Sequence, residues 1–104
     1  MKVVAITACP TGVAHTYMAQ EAIEKECRKR GYEVQVETQG SMGVENELTQ
    51  EEVDGADVVI LAVAIGIEGE ERFDEKMAAG KVISIDPGEV IKHPTEVLDR
   101  AEKL

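Results

Sequence analysis

A chain of 104 residues has room for one folded domain, 1–104, and 43% hydrophobic with 31% charged residues suits a packed protein rather than a disordered one. Twenty-one Asp and Glu against eleven Lys and Arg give a net charge of −10, which argues against nucleic acid or an anionic membrane surface as a partner. The longest apolar run, Val58 to Ile67, is about half of a membrane span, and Met1-Lys2-Val3-Val4 runs into a strand-like segment with no signal peptide. A cytoplasmic location is expected. Two cysteines in such a chain read as thiols, not as a structural disulfide.

The elements follow in βα order. Val3 to Ala8 is a β-branched apolar run, expected as a strand buried on both faces. It stops at Cys9-Pro10-Thr11-Gly12, where proline and glycine oppose strand continuation. Ala14 to Arg30 has helical periodicity, with Ala14, Met18 and Ala22 on one stripe and Ala19, Ile23 and Cys27 on the next. Arg28, Lys29 and Arg30 suit its carbonyl end, and Gly31 its left-handed terminus. Tyr32 to Thr38 alternates as a second strand, followed by a glycine-rich loop from Gln39 to Gly43. Thr49 and Glu52 have capping-box spacing and open a short helix closing near Gly55. Asp57 to Val63 is a third strand, and Glu70 to Ala79 a helix ended by Gly80. Val82 to Ile85 is a fourth strand, Asp86-Pro87-Gly88 a turn, and Pro94 to Leu104 a last helix. The fold class expected is α/β: a four-stranded parallel sheet of βαβαβαβα connectivity, strand order 2-1-3-4, with helices on both faces.

Ligands of such sheets bind at the carboxyl ends of strands where the strand order reverses. The loop after the first strand lies there, and it carries Cys9 with His15 and Thr16 at a helix start. Gly12 and Ala14 leave backbone N–H groups unobstructed, as in a phosphate-cradling P-loop, and the helix adds unpaired donors. The same field favours a thiolate at Cys9, below the free thiol value of about 8.5. A thiolate beside an anion cradle points to phosphoryl transfer through cysteinyl phosphate. The Cys-x5-basic spacing resembles that of low-molecular-weight tyrosine phosphatases and arsenate reductases. Those carry Arg where this chain has His15, and Asp86-Pro87 lacks the setting of their general acid. A loop without a permanent guanidinium suits handing a phosphoryl group on better than hydrolysing it.

Ala8-Cys9-Pro10-Thr11-Gly12-Val13-Ala14-His15-Thr16 closely resembles the active-site loop of fructose-type enzyme IIB domains of the bacterial sugar phosphotransferase system. Val36-Glu37-Thr38-Gln39-Gly40-Ser41, Asn46 with Leu48-Thr49, Ala56-Asp57 and Arg72-Phe73 extend the resemblance over nearly the whole chain. It implies that Cys9 accepts phosphate from phosphohistidine of an enzyme IIA domain. It implies further that Cys9 passes the group to fructose or a fructose-like sugar held by membrane enzyme IIC, at the inner membrane. Pro10, Thr11, Gly12, Val13, Ala14, His15 and Thr16 are then the phosphate-binding residues. Gln39, Gly40, Ser41, Arg72 and Phe73 are candidates for partner docking. Ala64 and Glu75 depart from the usual family pattern. The alternative is a phosphatase or arsenate reductase-like enzyme using Cys9. No cofactor and no metal are expected, since nothing has ligand spacing with His15. Cys27 reads as core, and His93 as a surface turn residue.

Overall fold

The computed structural model describes residues 1–9, 13–40 and 43–104, with the backbone alone at residues 13 and 14. Strand β1 (Lys2–Ala8) is followed by helix α1 (Val13–Lys29), strands β2 (Glu33–Gly40) and β3 (Gly43–Glu45), and helix α2 (Gln50–Asp54). Strand β4 (Val58–Val63), a 3-10 turn (Glu70–Phe73), helix α3 (Asp74–Ala78), strand β5 (Val82–Ile85) and helices α4 (Pro87–Lys92) and α5 (Pro94–Glu102) complete it. The sheet has five strands in the order β3-β2-β1-β4-β5. β1 is central and parallel to β2 and β4, and β4 is parallel to β5. The connections leave β1 in opposite directions, so the crevice at its carboxyl end is the switch point.

The sheet is therefore five-stranded and mixed, which corrects the expectation of a four-stranded, all-parallel sheet. β3 folds back antiparallel on β2, pairing Thr38 with Glu45 and Gln39 with Val44. Three exposed residues carry no hydrophobic alternation from which a strand can be read. Gln39 and Gly40 accordingly end a strand rather than open a loop. Asp86-Pro87-Gly88 is a helix start, not a turn: Asp86 Oδ1 accepts the Gly88 N–H at 2.8 Å, and Pro87 occupies the first turn. The single helix expected from Glu70 to Ala79 is instead a 3-10 turn running into α3. Its start at Gly69 has φ +71, and a Cβ there would stand 2.6 Å from Arg72 Nε. The side chain of Arg72 folds back over that glycine.

Alternation along the strands divides the core in two. Val3 and Ala5 of β1, Val36 of β2 and Ile60 of β4 meet Ile23 and Cys27 of α1 and Val97, Leu98 and Ala101 of α5. On the other face Val4, Ile6, Val59 and Leu61 meet Leu48, Val53 and Phe73. The Thr49–Glu52 capping box is formed, and α1 ends at Gly31 with φ +76. Arg30 fastens α5 to α1 through Glu26, Asp99 and Glu102.

One polar cluster interrupts the second core face. Glu37, on β2, has no solvent exposure. Its Oε1 accepts from Leu48 N–H at 2.7 Å and Arg72 Nη1 at 2.8 Å; Oε2 accepts from Gln39 Nε2 at 2.6 Å and Arg72 Nη2 at 3.0 Å. Arg72 also donates to the carbonyls of Gly69, Leu48 and Glu68, so every guanidinium donor is used. Burial alone pushes the Glu37 carboxyl up, but Arg72, the Leu48 N–H and the Gln39 amide together hold it below its ordinary value. Replacing Arg72 by Met leaves a buried carboxylate without its cation. The variant should lose about 3–5 kcal/mol at neutral pH by urea unfolding. A carboxylate stranded this way has its folded pKa above its unfolded one, so the deficit should shrink as pH falls from neutral toward the unfolded value of about 4. A deficit that is the same at pH 7 and pH 4 contradicts the charge argument.

Candidate functional site

Cys9 follows the last residue of β1 and is 9% exposed. Alternation puts its side chain on the α1 face, where Val3, Ala5 and Thr7 precede it. α1 starts at Val13, so His15 stands in its first turn, and His15 Nδ1 lies 3.1 Å from Cys9 Sγ. The imidazole thus accepts from the thiol or donates to the thiolate, according to its protonation. It is more than a helix cap. The ring also borders the start of α4: Cε1, next to Nδ1 in the ring, is 4.0 Å from the position a Cβ on Gly88 would take. Ala64, one of the departures from the family pattern, donates its N–H to the Ala8 carbonyl at 3.0 Å. It therefore borders the crevice beside the cysteine, closer than its place in the sequence suggests.

Thr16 is buried against the sheet, and its carbonyl accepts from the Thr7 hydroxyl at 3.2 Å, locking the first turn of α1 to β1. Tyr17 OH donates to the Glu45 carboxylate, tying the same part of α1 to β3. Gly40 ends β2 nearby: a Cβ on it would be 3.9 Å from Thr16 Oγ1. Pro10, Thr11, Gly12 and Ser41, all expected at the site, lie outside the described residues, as do the side chains of Val13 and Ala14.

Docking by Arg72, Phe73 and Gln39 is not what these side chains are placed to do. Phe73 is wholly buried in the second core face, with the Arg72 guanidinium 5.2 Å from its ring centroid. Arg72 is spent on Glu37 and on loop carbonyls. The Gln39 amide donates to Glu68 O at 3.0 Å and accepts from Glu68 N–H at 2.8 Å. These residues hold the end of β2 against the loop after β4, so Gly40 sits where it does because of them. Sequence reading missed Thr7, Thr38 and the α4 start as neighbours of the site. The Asp-Pro helix-start signature at Asp86 was the available signal for the last of these; the threonines carry none.

The two cysteines differ. Cys27 is wholly buried in α1, and burial pushes its thiol up to about 11. Among the described residues no group of three His, Cys, Asp or Glu side chains is arranged to hold a metal ion, and no helix is long and apolar enough to cross a membrane. Iodoacetamide at neutral pH should alkylate Cys9 and leave Cys27 untouched, as read by peptide mass mapping. Labelling of Cys27 in the native chain contradicts the burial account.

The model of the family described as "PTS system, Lactose/Cellobiose specific IIB subunit" matches residues 4–100. The "PTS system fructose-like EIIB component 2" of Escherichia coli is 50% identical over 102 residues, covering 97% of this chain and 92% of that protein. The "Fructose-like PTS system EIIBC component" of the same organism is 45% identical over 97 residues, which are 93% of this chain but 20% of the larger protein. Among solved structures, a domain from the fructose-specific IIABC component of Borrelia burgdorferi superposes with a TM-score of 0.86 at 48% identity, covering 96% of this chain and 91% of the other. With a thiol and an imidazole brought together at the switch point and a match of this extent, the chain belongs to the IIB family of the phosphotransferase system.

Proposed function

We propose that this chain carries a phosphoryl group on Cys9 during sugar uptake, taking it from phosphohistidine of an enzyme IIA and giving it to a fructose-like sugar on enzyme IIC. The observation that carries the reading is the Cys9–His15 contact at 3.1 Å, at the carboxyl end of the central strand. His15 Nδ1 removes the thiol proton, and the Cys9 sulfur attacks phosphorus. An S–P bond forms as the N–P bond of the donor breaks, and the donor imidazole leaves with that electron pair as a neutral ring, its other nitrogen already protonated. In the second transfer a sugar hydroxyl attacks, an O–P bond forms, the S–P bond breaks, and the sulfur departs as thiolate toward His15. The proton of that hydroxyl goes to a base on the sugar-binding partner. The partner pair and the sugar class rest on what the relatives are named for: a fructose-like EIIB component, and an EIIBC chain in which B and C are fused. Work at the inner membrane, through enzyme IIC, is part of the same reading.

A phosphatase needs an acid for its leaving group and a durable anion clamp. Asp86 is the acid that the motif letters suggested, yet its Oδ1 is occupied by the Gly88 N–H as the cap of α4. No arginine follows Cys9 at the clamp position, which His15 fills. The phosphatase alternative is not favoured.

Incubation with phosphoenolpyruvate, the general phosphotransfer proteins and a fructose-type IIA should add one phosphoryl group by intact mass. Cys9→Ser should abolish the adduct while remaining folded. His15→Ala should slow transfer by about ten- to hundredfold, as expected for loss of a proton carrier. The chain should not hydrolyse p-nitrophenyl phosphate. Full labelling of Cys9→Ser, or steady hydrolysis of that ester, overturns the proposal.

A further inference from the structure

The layer between α1 and the sheet changes character along the strands. Toward their amino ends it is apolar, built from Val3, Ala5, Val36, Ile23 and Cys27. At their carboxyl ends the same layer presents Thr7 opposite Thr38, paired in register, with Thr16 descending from α1. All three are buried, Thr16 and Thr38 to 2% exposure. Thr7 spends its hydroxyl on the Thr16 carbonyl. The hydroxyls of Thr16 and Thr38 have no hydrogen-bond partner and, among the described residues, are the two buried side-chain polar atoms left so. A buried hydroxyl without a partner costs stability that valine, of nearly the same shape, would not.

Their position says what they are for. Cys9 is two residues beyond Thr7, and Gly40 two beyond Thr38, so Cys9 and Gly40 stand at one level of the sheet. Thr16 Oγ1 reaches that level, 3.9 Å from where a Gly40 Cβ would be. Gly40 has no side chain to stop it, and the next residue up the helix from Thr16 is His15, which touches the thiol. Two stranded donors thus lie in the layer that Cys9 closes at its carboxyl end, and Cys9 is the one side chain there expected to gain three anionic oxygens.

Resting on the phosphocysteine reading above, we propose that Thr16, already expected in the phosphate-binding loop, contributes there through its buried side-chain hydroxyl, and that the Thr38 hydroxyl of β2 is a further donor to the phosphoryl group on Cys9. They are unsatisfied in the resting chain and satisfied in the phosphorylated one. Such hydroxyls favour the loaded state twice: by bonding the anion, and by destabilising the empty site. Backbone N–H groups alone would do only the first.

The test compares Thr16→Val and Thr38→Val with Thr16→Ser and Thr38→Ser, reading two quantities. One is thermal stability of the unphosphorylated chain; the other is the equilibrium of phosphoryl exchange between phosphorylated IIA and this chain, by intact mass. Each valine variant should melt no lower than wild type, yet shift exchange back toward IIA by about tenfold, the worth of one good charge-assisted hydrogen bond. The serine variants should restore exchange to near the wild-type value. Valine variants with wild-type exchange overturn the inference, whether their melting rises, as from expelling an internal water, or falls, as from a packing defect. Should a valine variant not fold, Thr→Ala against Thr→Ser at the same position gives the same comparison. Wild type that takes no phosphoryl group on Cys9 overturns the carrier reading itself, which is a different result from variants that load as well as wild type.

Discussion

A carboxylate shut away from water constrains much of this fold. Glu37 lies in a sheet strand with no solvent contact, and its charge is tolerable only because Arg72 and two further donors surround it. The arrangement is demanding in return. Leu48 must come back to β2 after the β3 hairpin, Gly69 must leave space for the guanidinium, and Glu68 must present its carbonyl. Gln39 extends the same network one residue toward the site by bonding both backbone groups of Glu68. The carboxyl end of β2 and the loop after β4 are thereby joined into one wall of the crevice that opens beside Cys9. An ion pair of this kind adds little net stability by itself, but losing either member is costly, so it specifies one arrangement of the loops.

The opposite wall is α1. Its position follows from packing Ile23 and Cys27 on the sheet, from Gly31 ending it, and from Arg30 bracing it against α5. Helix geometry then places His15 beside the cysteine and Thr16 against the sheet. The chemistry is a consequence of that placement. An imidazole beside a thiol moves one proton, whereas a guanidinium would hold phosphate permanently and an aspartic acid would speed its loss to water. With histidine in the place of an arginine clamp and Asp86 Oδ1 engaged as the cap of α4, the carrier reading favours an intermediate that waits for its acceptor.

Much of this was readable from the sequence. The parallel strands are β-branched runs whose burial on both faces leaves little else for them to be, and Cys9 followed by a helix start marks the switch point on topology alone. What escaped reading was set by tertiary contact. β3 exists because β2 offers an edge, not because Gly43-Val44-Glu45 favours a strand. The 3-10 start of α3 comes from Arg72 turning back toward Glu37, a partner 35 residues away. Arg72 and Phe73 look like surface recognition residues in a polar, charged stretch, yet one neutralises a buried charge and the other fills the core beneath it. Thr38 is an ordinary strand residue until its register sets it beside Thr7, two residues before the cysteine.

The central claim is that sulfur, not nitrogen, holds the phosphoryl group and that it passes to a hydroxyl in preference to water. Phosphorus NMR of the isolated phosphorylated chain tests both at once. The account predicts a single resonance in the S-linked phosphate range, persistent in buffer. It should be discharged into sugar phosphate when membranes bearing a fructose-type IIC and the sugar are added. An N-linked resonance, or prompt decay to inorganic phosphate without an acceptor, would contradict it.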